Sequence, residues 1–458
     1  MRSSTILGAA IALGLAASAP ARGETLADAL VLAYENSGLL EQNRALLRAA
    51  DEDVAQAVAA LRPVINYTLR GQYTNITGGT FETNTSTTAE LNADFLLYDA
   101  GATRFGIDAV KETVLATRQA LIDVEQNVFI QAVSAYVSVR EALEIVSLRQ
   151  NNQRLITEEL RAAEDRFEVG EVTRTDVALA QARLAEARSD LAQAQGALQQ
   201  AIEEYGRVIG AEPRNLAAPR GRPQIPASIS EAKAIALRTH PDIRASQRRI
   251  AASELRVQQA EAAVSPNITA RATLGIDEDD LNDRFDSTES VGVTLSGPIY
   301  QGGRLSSGIR QAMNNRDAER ANLLSIRRQV EANVGNAYAI LQSARASQIA
   351  VDQQIRAAEI AFRGIREEAT LGARTTLDVL DAEQDLLDAR SRRISADADE
   401  VIAVYQILQS MGLLTADHLG LGIQSYDPAA YYNLVNEAPV VRSEQGRALD
   451  RVLRAIGD

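Results

Sequence analysis

The sequence predicts a membrane α/β chain in which short membrane-spanning strands alternate with helices far longer than a globular core needs, the whole unit being written twice. The duplication is direct. Leu26-Ala27-Asp28-Ala29 through Arg62-Pro63 matches Ile229-Ser230-Glu231-Ala232 through Ser265-Pro266 at a constant offset of 203 residues. Tyr98-Asp99-Ala100-Gly101 matches Tyr300-Gln301-Gly302-Gly303, and Gly170 to Val177 matches Gly372 to Val379, both at an offset of 202. A period near 200 is too long for a solenoid repeat, so one large unit has been duplicated. Helix length is the second observation: there is no proline between Val64 and Glu212 or between Ile299 and Tyr426. The third is a switch to alternating polarity just after Pro63 and Pro266.

Taken in order, the elements follow from local pattern. Residues 1–21 carry Arg2, an apolar run from Ile6 to Ala17 and Ala19-Pro20-Ala21, the three parts of a secretory signal. The first repeat, 22–212, opens with a helix from Leu26 to Leu61. Two strands of about ten residues follow, the length of a tilted membrane-spanning strand. Tyr67, Leu69 and Tyr73 face one way and Asn66, Thr68, Arg70, Gln72 and Thr74 the other; Ala89, Leu91, Ala93, Phe95 and Leu97 oppose Glu90, Asn92 and Asp94. The tip between them, Thr77 to Thr85, is polar. In the block Ala102 to Glu168, Ile107, Val110, Val114, Leu121, Val124 and Val128 recur at steps of three and four, with Thr117 in the gap. Such a period makes helices wind around neighbours. At 1.5 Å per residue the block reaches about 100 Å. The turn Val169-Gly170-Glu171-Val172 ends it, and a return helix runs from Thr175 to Ile209.

A Pro-rich linker, 213–228, joins the copies outside the helical cylinder. The second repeat, 229–412, repeats the order with a helix from Ile229 to Val264, the block Arg304 to Thr370, the turn Leu371-Gly372-Ala373-Arg374 and a return helix from Thr376 to Gly412. Its strands set Ile268, Ala270, Ala272, Leu274 and Ile276 against Asn267, Thr269, Arg271 and Thr273, and Val291, Val293 and Leu295 against Ser290, Thr294 and Ser296. Glycine suits the left-handed position that ends a helix, which gives Gly170 and Gly372 their place at the hairpin turns. Residues 413–458 form a tail without heptads, expected to pack around the middle of the cylinder.

Bulk composition excludes several classes. The chain has no cysteine, which removes disulfides, thiolate metal sites, cysteine nucleophiles and a lipid-modified Cys after the signal. A net charge of -14 argues against a nucleic-acid partner. His240 and His418 are the only histidines and lie in different regions, so no His-rich metal site is expected. His240 precedes Pro241 at a helix turn and reads as structural. The acidic loop 277–286 lacks the glycine and ligand order of a calcium-binding EF-hand. No catalytic constellation and no cofactor motif is found, and the chain is not expected to be an enzyme. Four strands cannot close a barrel, and lipid does not tolerate open sheet edges. The chain is therefore expected to oligomerise, and a homotrimer gives twelve strands above a helical cylinder.

These features resemble the TolC-like outer membrane factors. The resemblance is carried by the duplicated Tyr-x-x-Gly after the second strand of each copy, by Gly372-Ala-Arg-Thr-Thr-Leu-Asp-Val-Leu-Asp-Ala382 and by its cognate Gly170 to Val177. It covers essentially the whole mature chain. It implies a trimeric outer-membrane β-barrel of twelve strands continued by a long α-helical barrel in the periplasm, set in outer-membrane lipid. A periplasmic adaptor (membrane fusion) protein and an inner-membrane transporter are the implied partners.

The resemblance also implies a constricted periplasmic entrance. Asp378 and Asp381 match the family's acidic rings, Arg374 its gate arginine and Asp176 the carboxylate that pairs with that arginine on the neighbouring hairpin. Asp378, Asp381, Asp385 and Asp388 share one helix face, which symmetry turns into stacked carboxylate rings attractive to cations. Thr375-x-x-Asp378 and Thr173-x-x-Asp176 equally fit helix-start capping. The family's tyrosine at the position of Ala369 is missing, which weakens transfer of the gate network. The tail, with Leu414-Thr-Ala-Asp-His-Leu-Gly-Leu421, Tyr426-Asp-Pro428 and Tyr431-Tyr432, is similar to members that serve protein secretion. A type I protein secretion duct is the expected role, with a multidrug efflux exit as the alternative.

Overall fold

The computed structural model describes residues 23–76, 82–219, 221–279, 284–440 and 442–457. The expected signal segment 1–21 lies outside them, as do the centres of both strand tips. Each repeat builds two short helices, two strands, one very long helix and a return helix. In the first these are α1 (Leu26–Asn36), α2 (Gly38–Ala59), β1 (Val64–Ile76), β2 (Glu82–Tyr98), α3 (Ala102–Glu168) and α4 (Arg174–Ile209). In the second they are α5 (Ile229–Thr239), α6 (Pro241–Ala262), β3 (Asn267–Asp279), β4 (Arg284–Ser296), α7 (Arg304–Thr370) and α8 (Thr376–Ser410). The tail adds α9 (Ala416–Leu419), α10 (Pro428–Val435) and α11 (Glu444–Gly457). No described helix is long and apolar enough to cross a membrane.

The opening segment of each repeat, expected as one helix, is two. In the first copy Ser37 leaves helical geometry and its hydroxyl accepts from the Leu40 amide at 3.2 Å, restarting the helix. In the second, Pro241 cannot donate into the preceding turn, so His240 sits in extended geometry and its Nδ1 accepts from the Asp242 amide at 3.2 Å. Each break is also where a return helix ends. Asn36 donates to the last carbonyl region of α4, Ile209 O, at 3.0 Å, and Thr239 donates to Met411 O, just past α8, at 2.6 Å. Gly210 and Gly412 make these joints possible: both have positive φ, and a Cβ would lie 2.7 Å from Asn36 Cβ and from the His240 Cα respectively. Thus α4 meets the α1–α2 break and α8 meets the α5–α6 break. A return helix of 36 or 35 residues followed by a 22-residue helix runs along most of one uninterrupted 67-residue helix.

The largest apolar core gathers at these joints, with Phe129, Val133 and Tyr136 of α3, Leu30 of α1, Val334 of α7 and Ile407 and Leu408 of α8. Burying each large side chain contributes about 1.5–3 kcal/mol. The linker is fastened to this core by cognate tyrosines. Tyr136 donates to Ala217 O at 2.6 Å and Tyr338 to Pro226 O at 2.7 Å. The tail leaves the joint and runs along α2 toward the sheet. Tyr431 donates to Glu52 at 2.6 Å, and Arg118 lies over the Tyr432 ring, 5.0 Å from its centroid.

The strands form one antiparallel sheet in the order β1-β2-β3-β4, leaving β1 and β4 as edges. Val64 pairs with Asp94 and Asn267 with Ser296, so the two hairpins share one register. Between the strands the first copy has residues 77–81 and the second 280–283. The repeat offset therefore falls from 203 to 202 between the strands, without disturbing either face. Strands run longer than expected, and Asp277, Glu278 and Asp279 of the acidic segment belong to β3; the remainder, 280–283, lies outside the described residues.

Candidate functional site

The sheet has two chemically distinct faces, as alternation requires. Tyr67, Leu69, Leu274, Ile276, Val291 and Val293 stand exposed on one, with Tyr67 78% and Val293 66% accessible. Among the described residues of β3 and β4, acids reach that face only in the tip-ward half, at Glu278 and Glu289. The opposite face is a polar network: Arg271 bonds Asp94 at 2.6 Å, Thr273 donates to Asn92 at 2.8 Å, and Asn92 donates to Glu90 at 3.4 Å. A sheet with an apolar face outward and a paired polar face inward, and with both edges open, is a segment of a lipid-embedded barrel around a watery lumen.

At the far end of the helices lie the two hairpin turns. Gly170 and Gly372 take positive φ, 80° and 75°. Around them Glu171 N bonds Arg166 O and Ala373 N bonds Glu368 O, each at 2.9 Å, closing both long helices in the same way. Val169 and Leu371 project from the turns, Leu371 being 84% exposed.

The predicted site residues gather here. Asp176 accepts from the Thr173 hydroxyl at 2.7 Å and from its amide at 2.9 Å. Asp378 does the same with Thr375 at 2.8 and 2.9 Å. Each is the N3 carboxylate of a capping box whose N-cap is the threonine, and these hydrogen bonds hold both carboxyls below their ordinary range. Arg374 bonds Glu368 at 2.9 Å, a link that strengthens its protonation. Within one chain, then, Arg374 and Asp176 each have a local partner, and no ion pair between them occurs among the described residues. Asp381 pairs with Arg183 at 2.5 Å, tying α8 to α4 across the two hairpins. Arg183 also holds Glu186 at 3.0 Å. Asp385 remains exposed on the same helix face, and Asp388 accepts from Gln384 at 2.8 Å.

Two residues of this region escaped the sequence reading. Arg183 is the first-copy cognate of Asp385 at the repeat offset, a charge reversal that comparing the copies would have revealed. Glu383, beside Asp381, is buried at 5% exposure and neither carboxylate oxygen has a hydrogen-bond partner. Burial pushes its pKa up to about 7, and neighbouring Glu159 adds to the rise, opposed by Arg366. Arg366 is itself held by Glu159 at 2.9 Å, linking α7 to α3.

This arrangement has counterparts. The family model described as outer membrane efflux protein matches residues 29–211 and 234–413, both repeats in turn. The chain belongs to the outer membrane efflux protein family. The outer membrane efflux protein BepC of Brucella suis biovar 1 (strain 1330) is 37% identical over 426 residues, 91% of each chain. The alkaline protease secretion protein AprF of Pseudomonas aeruginosa is 27% identical over 307 residues, 65% of this chain and 63% of that relative. Among solved structures, CusC, described in terms of transmembrane channel formation, superposes with a TM-score of 0.75 at 20% identity, covering 84% of this chain and 91% of that one. The fold is thus that of outer membrane efflux channels, a membrane β-sheet continued by a helical tunnel in the periplasm. An outer membrane efflux protein is a channel, not an enzyme.

Proposed function

We propose that three copies close a twelve-stranded barrel and a helical tunnel beneath it, forming the exit duct of a complex that spans the periplasm and carries polypeptides out by type I secretion. The observation that carries the duct is the sheet: an apolar outer face, an ion-paired inner face and two free edges, β1 and β4, are satisfied together only when copies join edge to edge. The exposed apolar turn residues Val169 and Leu371 fit contact with a periplasmic adaptor, which in turn joins an inner-membrane transporter. Polypeptide cargo is favoured by the aromatic tail laid along α2 and by the absence of a cysteine for a lipid anchor. A second reading, efflux, with drugs as the alternative cargo, is favoured by the greater and longer similarity to BepC, named an efflux protein, than to AprF. A deletion strain separates them. Loss of one or a few secreted proteins with unchanged drug and detergent susceptibility is the expected result; broad hypersensitivity with a normal set of secreted proteins overturns polypeptide cargo in favour of efflux.

At the entrance, Asp378 and Asp381 line acidic rings that draw cations into the mouth, and Arg374 exchanges Glu368 for Asp176 of a neighbouring hairpin to hold the resting state closed. These partners are exposed and solvent-screened, so each link is weak and the closed state needs all of the symmetry-related links together. Arg374→Ser is expected to raise single-channel conductance in a planar lipid bilayer. Unchanged conductance overturns the gate.

A further inference from the structure

The C-terminal helix α11 is a feature that the duct does not use. Its sequence sorts into two faces at helical spacing: Ala448, Leu449, Val452 and Leu453 on one, Arg447, Asp450, Arg451 and Arg454 on the other. Leu449 leans on the small cluster of Ala55, Tyr431 and Val435, while Leu453 remains 42% exposed. The apolar face thus extends beyond the protein surface that covers Leu449.

The segment that leads into α11 is held near the sheet by Arg62, whose guanidinium donates to Ala438 O at 2.5 Å and also to Glu437 O. Arg62 stands two residues before β1, where the helices give way to the sheet. At this end of the sheet Tyr98, Ile299 and Tyr300 are exposed, Tyr300 by 87%, the residue types of the aromatic girdle that marks a membrane boundary. Charge points the same way. From residue 442 to residue 458 there are four arginines, Arg442, Arg447, Arg451 and Arg454, against Glu444, Asp450 and Asp458, a small basic excess in a chain whose net charge is -14.

We propose that α11 is an interfacial helix, lying in the periplasmic leaflet of the outer membrane with Val452 and Leu453 among acyl chains and its arginines on anionic phospholipid headgroups. A short amphipathic helix with arginine on its polar face binds by apolar burial plus attraction to anionic lipid. Three such helices around the barrel collar the duct at the membrane boundary.

The chain has no cysteine, so a single Cys can be placed and labelled with bimane in the full-length protein. Leu453→Cys, Arg451→Cys and, as a reference for the barrel, Val293→Cys are reconstituted in vesicles of phosphatidylethanolamine and phosphatidylglycerol. Nitroxide-bearing phospholipid is expected to quench the Leu453 label several-fold more than the Arg451 label, and iodide to do the reverse. Substituting phosphatidylcholine for phosphatidylglycerol is expected to cut the quenching at Leu453 several-fold and leave Val293 unchanged. Iodide quenching of Leu453 equal to Arg451 overturns the assignment by placing the helix in water. Protection of Leu453 from both quenchers overturns it by placing the helix against protein. Equal lipid quenching without anionic phospholipid overturns the choice of headgroup. Quenching at Val293 reports the barrel independently, so a failed barrel and a misassigned helix give different results.

Discussion

Val293→Arg prevents the protein from assembling in the outer membrane, whereas Thr294→Arg, one residue away, leaves assembly intact. Val293 lies between Val291 and Leu295 on the exposed apolar face of β4, paired with Ala270. An arginine facing lipid near the middle of the bilayer costs about 2–4 kcal/mol. Symmetry repeats that cost in every copy, and β4 is an edge strand, so the copies must pair while the charge is entering lipid. Thr294 faces the other way, toward the layer holding Arg271 and Asp94, where water and carboxylates receive a guanidinium. The measurement is the fraction of each variant recovered as a heat-modifiable oligomer from outer-membrane fractions. Equal recovery of the two variants would contradict a lipid face and a lumen face.

Glu383→Gln raises the melting temperature near neutral and alkaline pH and leaves it unchanged in acid. Glu383 is buried among α8, α7 and α3, its oxygens unpartnered, with Glu159 and Arg366 as the charged groups facing it. An unfolded chain releases this proton near 4.5, the folded chain only near 7. Between those values the folded state binds more protons, so stability falls as pH rises through the interval and stays reduced above it. Glutamine keeps the shape and removes the charge. The gain is about 1–3 kcal/mol per chain at about pH 8 and vanishes at about pH 4. Thermal melts of both proteins at the two pH values test this; an equal gain at both would mean that packing, not proton release, sets the effect. The first copy already carries an amide at the cognate position, Gln181, so helix propensity there does not oppose the change.

Those two sites mark what could be read in the sequence. The strand faces were legible because alternation is local, and the long helices because heptads without proline leave no other structure. Capping by Asp176 and Asp378 was legible in Thr-x-x-Asp for the same reason. The pairing of Asp381 with Arg183 was not, since the partners lie 198 residues apart and meet only when α4 and α8 pack. Burial of Glu383 was hidden because an isolated glutamate between exposed Asp381 and Asp385 reads as one more solvent-facing acid. The breaks in the opening helices were half-written: Pro241 marks the second, while the first rests on Ser37, a residue that also occurs inside helices. Comparing the copies would have transferred the break from one to the other.

The duplicated hairpins differ in length by one residue, and that residue lies between the strands, where 77–81 stands against 280–283. Within a strand one added residue exchanges the lipid and water faces of everything beyond it unless a bulge absorbs it, as between Leu96 and Tyr98 near the end of β2. Between the strands the same event has been accepted since the copies diverged. The membrane wall is thus constrained by its own periodicity, whereas the length of chain between the strands is open to editing. Novelty in what this duct presents to its surroundings can accumulate there, one residue at a time, without renegotiating the barrel, and a short epitope inserted between β3 and β4 follows the route that the chain's own history has taken.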